Sequence, residues 1–240
     1  MTYDVSTFLV TRQGRLSLYG LLNLLQDTSI AHANLLGHGM SRTSERQALW
    51  VLTRQKVEMK KWPSLNERIS IRTWVRPAEG AFAVRDFEIL SSIAGDVIGE
   101  ATTSWLLLHA DTRKPIREDV STLGFTARTD GRASFDAEKV APRTDVETLA
   151  RIEVRNSDID GNNHVNNTRY AQWILDAIPI AWHSQYVLEN YSVNFLAETR
   201  LGDAIDIQSV RSEATGDAYY HGLRVSDQKI VFTASLRVRG

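Results

Sequence analysis

KVEMKKWPSLNERISI, residues 56–71, overlays SVNFLAETRLGDAIDI, residues 192–207, without a gap. Val57 meets Val193, Leu65 meets Leu201, Glu67 meets Asp203, Ile69 meets Ile205 and Ile71 meets Ile207. Identities are few. The apolar and polar positions nevertheless run alike through a strand, a turn and a second strand, so one supersecondary unit is written twice.

The repeat extends outward on both sides. Upstream of the first copy, residues 17–36 place Leu18, Leu21, Leu22, Leu25 and Ser29 at helical spacing, one apolar stripe for burial. Upstream of the second, Tyr170, Ala171, Ile174, Ala177 and Ile178 form a comparable stripe toward Trp182, and Pro179 ends or kinks that helix. Downstream, alternation predicts strands over about 82–93 and 97–108, then about 219–225 and 230–238, with SIAGDV and SDQK as hairpin turns. In the earlier strand Val51, Thr53, Gln55, Val57 and Met59 are read as sharing one face. The order in each half is strand, long helix, then an antiparallel meander. A doubly wound α/β fold needs helices alternating with strands and is excluded. The expected class is α+β, a tandem (double) hotdog in which each half is a long helix wrapped by an antiparallel sheet. The halves are expected at 1–112 and 147–240. Residues 113–146, rich in Thr, Arg, Asp, Gly and Pro, read as a crossover linker.

Composition narrows the function classes. The 240 residues carry a net charge of −1, without the basic excess of a general nucleic-acid binder. Cysteine is absent, which excludes disulfides, thiolate metal sites and a cysteine nucleophile; no metal and no cofactor is expected. No apolar run approaches the roughly 20 residues of a membrane span. The N-terminus lacks a signal-peptide pattern, and a cytoplasmic setting is expected.

The chemistry concentrates in RNSDIDGNNHVNNTRY, residues 155–170, where Asp158, Asp160, Asn162, His164, Asn166 and Asn167 crowd together ahead of the second helix. DIDGNN is turn-forming, and the Asn residues can cap the helix. Amides at a helix N-terminus, here those of Val165 and Asn166, suit the negative charge that grows on a thioester oxygen during attack. A polar turn before a helix is commonly only a cap. The first half argues otherwise, because Arg15 stands where His164 stands and RQGRLSL lacks the acid and Asn residues. Glu198 is likewise opposite Trp62. At the end of a strand it is equally consistent with a solvated side chain.

DIDGNNHVNNTRYAQWILDAIP followed by YSVNFLAETRLGD resembles the acyl-ACP thioesterase family, and ALWVLTRQKVEMKKWPSLNERISIRTW resembles that family's first domain. The resemblance implies a catalytic network of Asp160, Asn162, His164 and Glu198. It also implies an acyl carrier protein partner, and an acyl chain held in the first half, where Leu18, Leu22, Leu25, Val51 and Thr53 are expected to line it. Many plant members carry Cys after that Glu; Thr199 stands here, which disfavours a thiolate mechanism, and the absence of any Cys rules it out. The implied reaction is hydrolysis, with Glu198 as general base or nucleophile and His164, Asn162 and Asp160 orienting. Arg54, Lys56, Lys60, Arg68, Arg72 and Arg76 fall on the parity opposite the apolar residues. That face suits an acidic carrier protein, or simply solvent. Three rivals stay open: an acyl-CoA thioesterase on the same scaffold, a dehydratase and a non-catalytic acyl-carrier binding module. A homodimer is an open expectation, and the absence of a transit peptide favours a bacterial over a plastid setting.

Overall fold

The computed structural model describes residues 1–39, 45, 47–77, 80–116, 124, 127–130, 135–212 and 214–240. The chain forms two units, Met1–Ala137 and Glu138–Gly240. The N-terminal unit runs β1 (Thr2–Asp4), a 3-10 turn (Thr7–Leu9), α1 (Leu18–Leu35), β2 (Ala48–Met59), β3 (Arg68–Val75), β4 (Phe82–Ser91) and β5 (Val97–His109). Its antiparallel pairings give the order β1-β3-β4-β5-β2. The C-terminal unit runs β6 (Glu147–Glu153), a 3-10 turn (Asn156–Asp158), α2 (Asn167–Ala177), α3 (Ile180–Gln185), β7 (Val187–Phe195), β8 (Ala204–Arg211), β9 (Ala218–Arg224) and β10 (Lys229–Arg239). Its order is β6-β8-β9-β10-β7, strand for strand that of the first unit. Both halves of the expected α+β hotdog pair are present.

The helices follow from capping and burial. Ser17 caps α1 by accepting the Gly20 amide at 2.9 Å, and Leu18, Leu21, Leu22 and Leu25 are buried. Gly20 is required there, because a Cβ would lie 2.6 Å from the Leu9 carbonyl oxygen. Asn166 caps α2 by accepting the Thr168 amide at 3.0 Å. Pro179, at the cap of α3, divides the second helix as its missing N–H dictates. Tyr170, Phe195 and Phe232 meet edge to face beneath α2, at 5.4 and 5.2 Å from Tyr170.

One face assignment is corrected. The β2–β5 register shifts between Leu52 and Arg54, so the buried positions of β2 pass from Ala48 and Leu52 to Gln55, Val57 and Met59. An inserted residue changes the parity of everything before it, so Val51 and Thr53 do not continue the face of Gln55, Val57 and Met59. Thr53 instead donates its hydroxyl to the Ser104 carbonyl at 2.8 Å.

Parts of the segment 113–146 pack onto the sheets. The Arg76 guanidinium donates to the Phe135 carbonyl and pairs with Asp86 and Asp136. In the C-terminal unit, the Val140 amide donates to the Asn194 side chain, and the Thr233 hydroxyl donates to the Val140 carbonyl. Phe135, Asp136 and Val140 of this segment therefore lie against the sheets. Among the described residues no helix is long and apolar enough to cross a membrane.

Candidate active site

The loop before α2 is a closed hydrogen-bonded frame. Ile159 bridges Val165, the Asp160 amide donates to the His164 carbonyl at 2.8 Å, and the Asn163 amide donates to the Asp160 carbonyl at 3.0 Å. Asn163 has φ of +64°, a left-handed position that Asn tolerates better than most residues. The Asp160 carboxylate accepts the amides of Asn162 at 2.8 Å and His164 at 3.5 Å. Its observed work is to hold the turn that presents His164. Asn162 is exposed at the turn's tip. Asp158 is buried and accepts the Arg155 amide within the 3-10 turn.

Glu198 stands three residues past β7. Its carbonyl accepts Arg224 Nη1 at 2.8 Å, and the next carbonyl, of Thr199, accepts the Val165 amide at 3.0 Å. That second bond ties the end of β7 to the residue after His164. His164 Nε2 then lies 3.2 Å from Glu198 Oε2, with the two side chains 17% and 33% exposed. Arg200 approaches the same oxygen at 3.3 Å from a largely exposed position. Both neighbours converge on Oε2. Tyr170 lies beneath, and burial pushes its hydroxyl up to about 12.

The structure thus brings His164 and Glu198 together across 33 intervening residues, and adds Arg200 and Arg224, which sequence reasoning missed. Arg200 had a local signal, standing two residues after Glu198. Arg224 had none, because only the β8–β9 pairing delivers it.

The expected oxyanion donors are corrected. The Val165 amide is used on Thr199 and the Asn166 amide donates to the Asp158 carbonyl at 2.8 Å, so neither is available to a substrate. Both close the loop frame, as a cap residue and its predecessor do. Asn167, the first residue of α2, has an amide with no intrahelical acceptor, and it meets no other acceptor among the described residues.

Leu18, Leu22 and Leu25, the residues expected to line an acyl chain, are buried under α1 in the N-terminal unit. The basic face is less basic than its sequence. Arg68 pairs with Asp4, Arg72 with Glu88 and Lys56 with Glu58, and Lys56 also stands over the Phe135 ring at 4.6 Å. Each of these cations has a local carboxylate, so the field offered to an acidic partner is reduced. Arg54 is half-buried on the same face.

Residues 1–121 match the family model of the acyl-ACP thioesterase N-terminal domain, and residues 141–236 match that of the C-terminal domain. Over 205 residues the chain is 31% identical to the chloroplastic oleoyl-acyl carrier protein thioesterase of Coriandrum sativum, covering 78% of this chain and 55% of that protein. Over 215 residues it is 28% identical to chloroplastic oleoyl-acyl carrier protein thioesterase 1 of Arabidopsis thaliana, covering 82% and 59%. The chain spans a little over half the length of these curated relatives. The crystal structure of an acyl-ACP thioesterase from Bacteroides thetaiotaomicron matches with a TM-score of 0.89 at 25% identity, over 100% of this chain and 96% of that one. The 12:0-ACP thioesterase from Umbellularia californica shares the fold with a TM-score of 0.84 at 17% identity, over 100% and 96%.

Proposed function

This chain belongs to the acyl-ACP thioesterase family, and we propose that it hydrolyses the thioester of fatty acyl-acyl carrier protein, releasing free fatty acid and ending chain elongation. The observation that carries the proposal is the His164–Glu198 contact of 3.2 Å beside the N-terminus of α2. Glu198 Oε2 faces His164 and Arg200. The carboxylate takes a proton from a water, and the hydroxide adds to the thioester carbon. The Asn167 amide, at the positive end of α2, receives the developing oxyanion in place of Val165 and Asn166. As the carbon–sulfur bond breaks, the sulfur takes the proton back from Glu198 with His164 as its hydrogen-bonding neighbour, giving thiol and carboxylic acid. Asp160 holds the turn and Asn162 orients the thioester from its tip.

The acyl chain is assigned to the N-terminal unit, along Leu18, Leu22 and Leu25; the β2 bulge takes Val51 and Thr53 out of that lining. The partner is the acyl carrier protein. A bacterial cytoplasmic setting belongs to the same proposal, supported by the likeness to the Bacteroides structure.

A panel of acyl-ACPs of graded chain length, with matched acyl-CoAs and free fatty acid measured, tests the reading. Hydrolysis of acyl-ACP at about tenfold or more the kcat/KM of the matched acyl-CoA is expected. Faster acyl-CoA hydrolysis would make it an acyl-CoA thioesterase. Binding of acyl-ACP without release of any fatty acid would make it a carrier-binding module.

A further inference from the structure

Each sheet turns one arginine inward, and the two are satisfied differently. In the N-terminal unit, Thr103, Arg85 and Val75 pair across β5, β4 and β3. Buried Arg85 has acceptors of the chain's own, His32 Nδ1 at 2.6 Å and Thr73 Oγ1 at 3.2 Å. The corresponding row of the C-terminal unit is Leu236, Ala218 and Arg211, across β10, β9 and β8. Here the arginine is displaced by one strand, and Ala218 stands in the place of Arg85.

Arg211 lies between two aromatic side chains. Its Cζ is 5.7 Å over the Trp182 ring of α3, and Tyr220 is its diagonal neighbour on β9, since Tyr220 pairs with Ser209. Burial pushes the Tyr220 hydroxyl up, and the adjacent guanidinium pulls it the other way. Tyr220 is 0% and Trp182 5% exposed. The Tyr220 hydroxyl, Trp182 Nε1 and Arg211 Nε are all buried atoms with no hydrogen-bond partner among the described residues. A guanidinium and an indole nitrogen only donate, so three donors stand here beside a single acceptor, the Tyr220 oxygen. Buried polar groups are almost always satisfied. The partner these atoms require therefore accepts from all three. One guanidinium sets its charge, because a monoanion is neutralised there and a dianion is not. A carboxylate fits, with two oxygens that match the guanidinium fork and lone pairs left for phenol and indole. Buried Leu236 closes the row beyond Ala218, which keeps the rest of the ligand short.

We infer that the C-terminal unit binds a short-chain carboxylate between α3 and the sheet, held by Arg211, Tyr220 and Trp182 over Ala218. The inference goes beyond the proposed hydrolysis and does not depend on it, since neither His164 nor Glu198 takes part.

Replacing chloride by acetate at constant ionic strength, with acetamide as the neutral control, tests it on the full chain by calorimetry and thermal melting. Acetate binds and raises the Tm above its value in chloride, whereas acetamide does not. Arg211→Met weakens acetate by about tenfold or more, since a charge-assisted bond is lost. Tyr220→Phe weakens it by about threefold, and decides the matter alone if Arg211→Met does not fold. Glu198→Gln leaves the acetate affinity unchanged, which separates this site from the one proposed for hydrolysis. An equal Tm in acetate and chloride would leave only water on the three donors and overturn the inference. Equal effects of acetate and acetamide, full acetate affinity in Arg211→Met, full affinity in Tyr220→Phe, or loss of binding in Glu198→Gln would each do the same.

Discussion

The loops before α1 and α2 share one hydrogen-bonded frame and differ in what they carry on it. Val10 bridges Leu16 as Ile159 bridges Val165. The Thr11 amide donates to the Arg15 carbonyl at 2.7 Å, as Asp160 does to His164 at 2.8 Å. The Gly14 amide donates to the Thr11 carbonyl as Asn163 does to Asp160, and both turn residues have positive φ, +71° and +64°. The Leu16 amide donates to the Pro63 carbonyl where Val165 donates to Thr199. Even the side-chain bond is kept: Thr11 accepts the Gln13 amide at 3.3 Å, Asp160 the Asn162 amide at 2.8 Å. The frame is therefore structural and belongs to the fold. What separates the halves is Arg15 for His164 and Trp62 for Glu198. One proposed hydrolytic site per chain follows, and it sits on a scaffold that does not require it.

The largest expected effect breaks the comparison at its chemical end. Glu198→Gln and His164→Ala should each lower turnover by about 10²–10⁴-fold, the usual worth of an acid–base group, with Tm unchanged. Asp160→Ala removes an acceptor for two amides. It should cost about 1 kcal/mol in urea unfolding and, by loosening the turn that presents His164, about tenfold or more in turnover. Thr11→Ala, its counterpart, should cost about 0.5 kcal/mol and leave turnover alone. Gly14→Ala and Asn163→Ala both force alanine into a left-handed position, at about 1 kcal/mol each. Only the second should slow hydrolysis, and equal kinetic effects would erase the distinction between the loops.

The smallest effect is shared by both units. Burial holds His32 in the first and His221 in the second below their ordinary 6.5. His221 is fixed between Tyr219, 3.1 Å from Nδ1, and Gln208, 2.6 Å from Nε2. A lowered folded value means that the unfolded chain binds protons first as the pH falls. The stability is thus fully present above 6.5 and is lost as the pH drops through the lowered folded values. Melting temperatures should fall from about pH 7.5 to pH 5.5, and His221→Gln should flatten part of that slope. A slope unchanged in His221→Gln would show that this histidine is not among the groups responsible.

Much of the fold was legible because it rests on local rules. The leucine stripe of residues 17–36, the stop at Pro179 and the gapless overlay at 56–71 each encode an element directly in spacing. The β2 bulge was not legible, since one inserted residue leaves the alternation of Val51, Thr53 and Gln55 intact on paper while reversing faces in space. At the candidate site, His164 and Asp160 stood out by crowding and Glu198 by its mismatch with Trp62. Val165 and Asn166 misled, because residue identity does not reveal whether a backbone amide is already bonded to a carbonyl far away in sequence. Arg85 was hidden for a similar reason. In sequence it is one cation among many, and only the sheet register turns it inward beneath α1.

The most direct test of one proposed site on two like frames is an exchange of side chains between them. His164→Arg gives the second loop the first loop's residue, and Arg15→His does the reverse. Steady-state acyl-ACP hydrolysis should fall by about a hundredfold or more in His164→Arg and stay within about twofold in Arg15→His. Comparable losses in the two variants, or full activity in His164→Arg, would contradict the account.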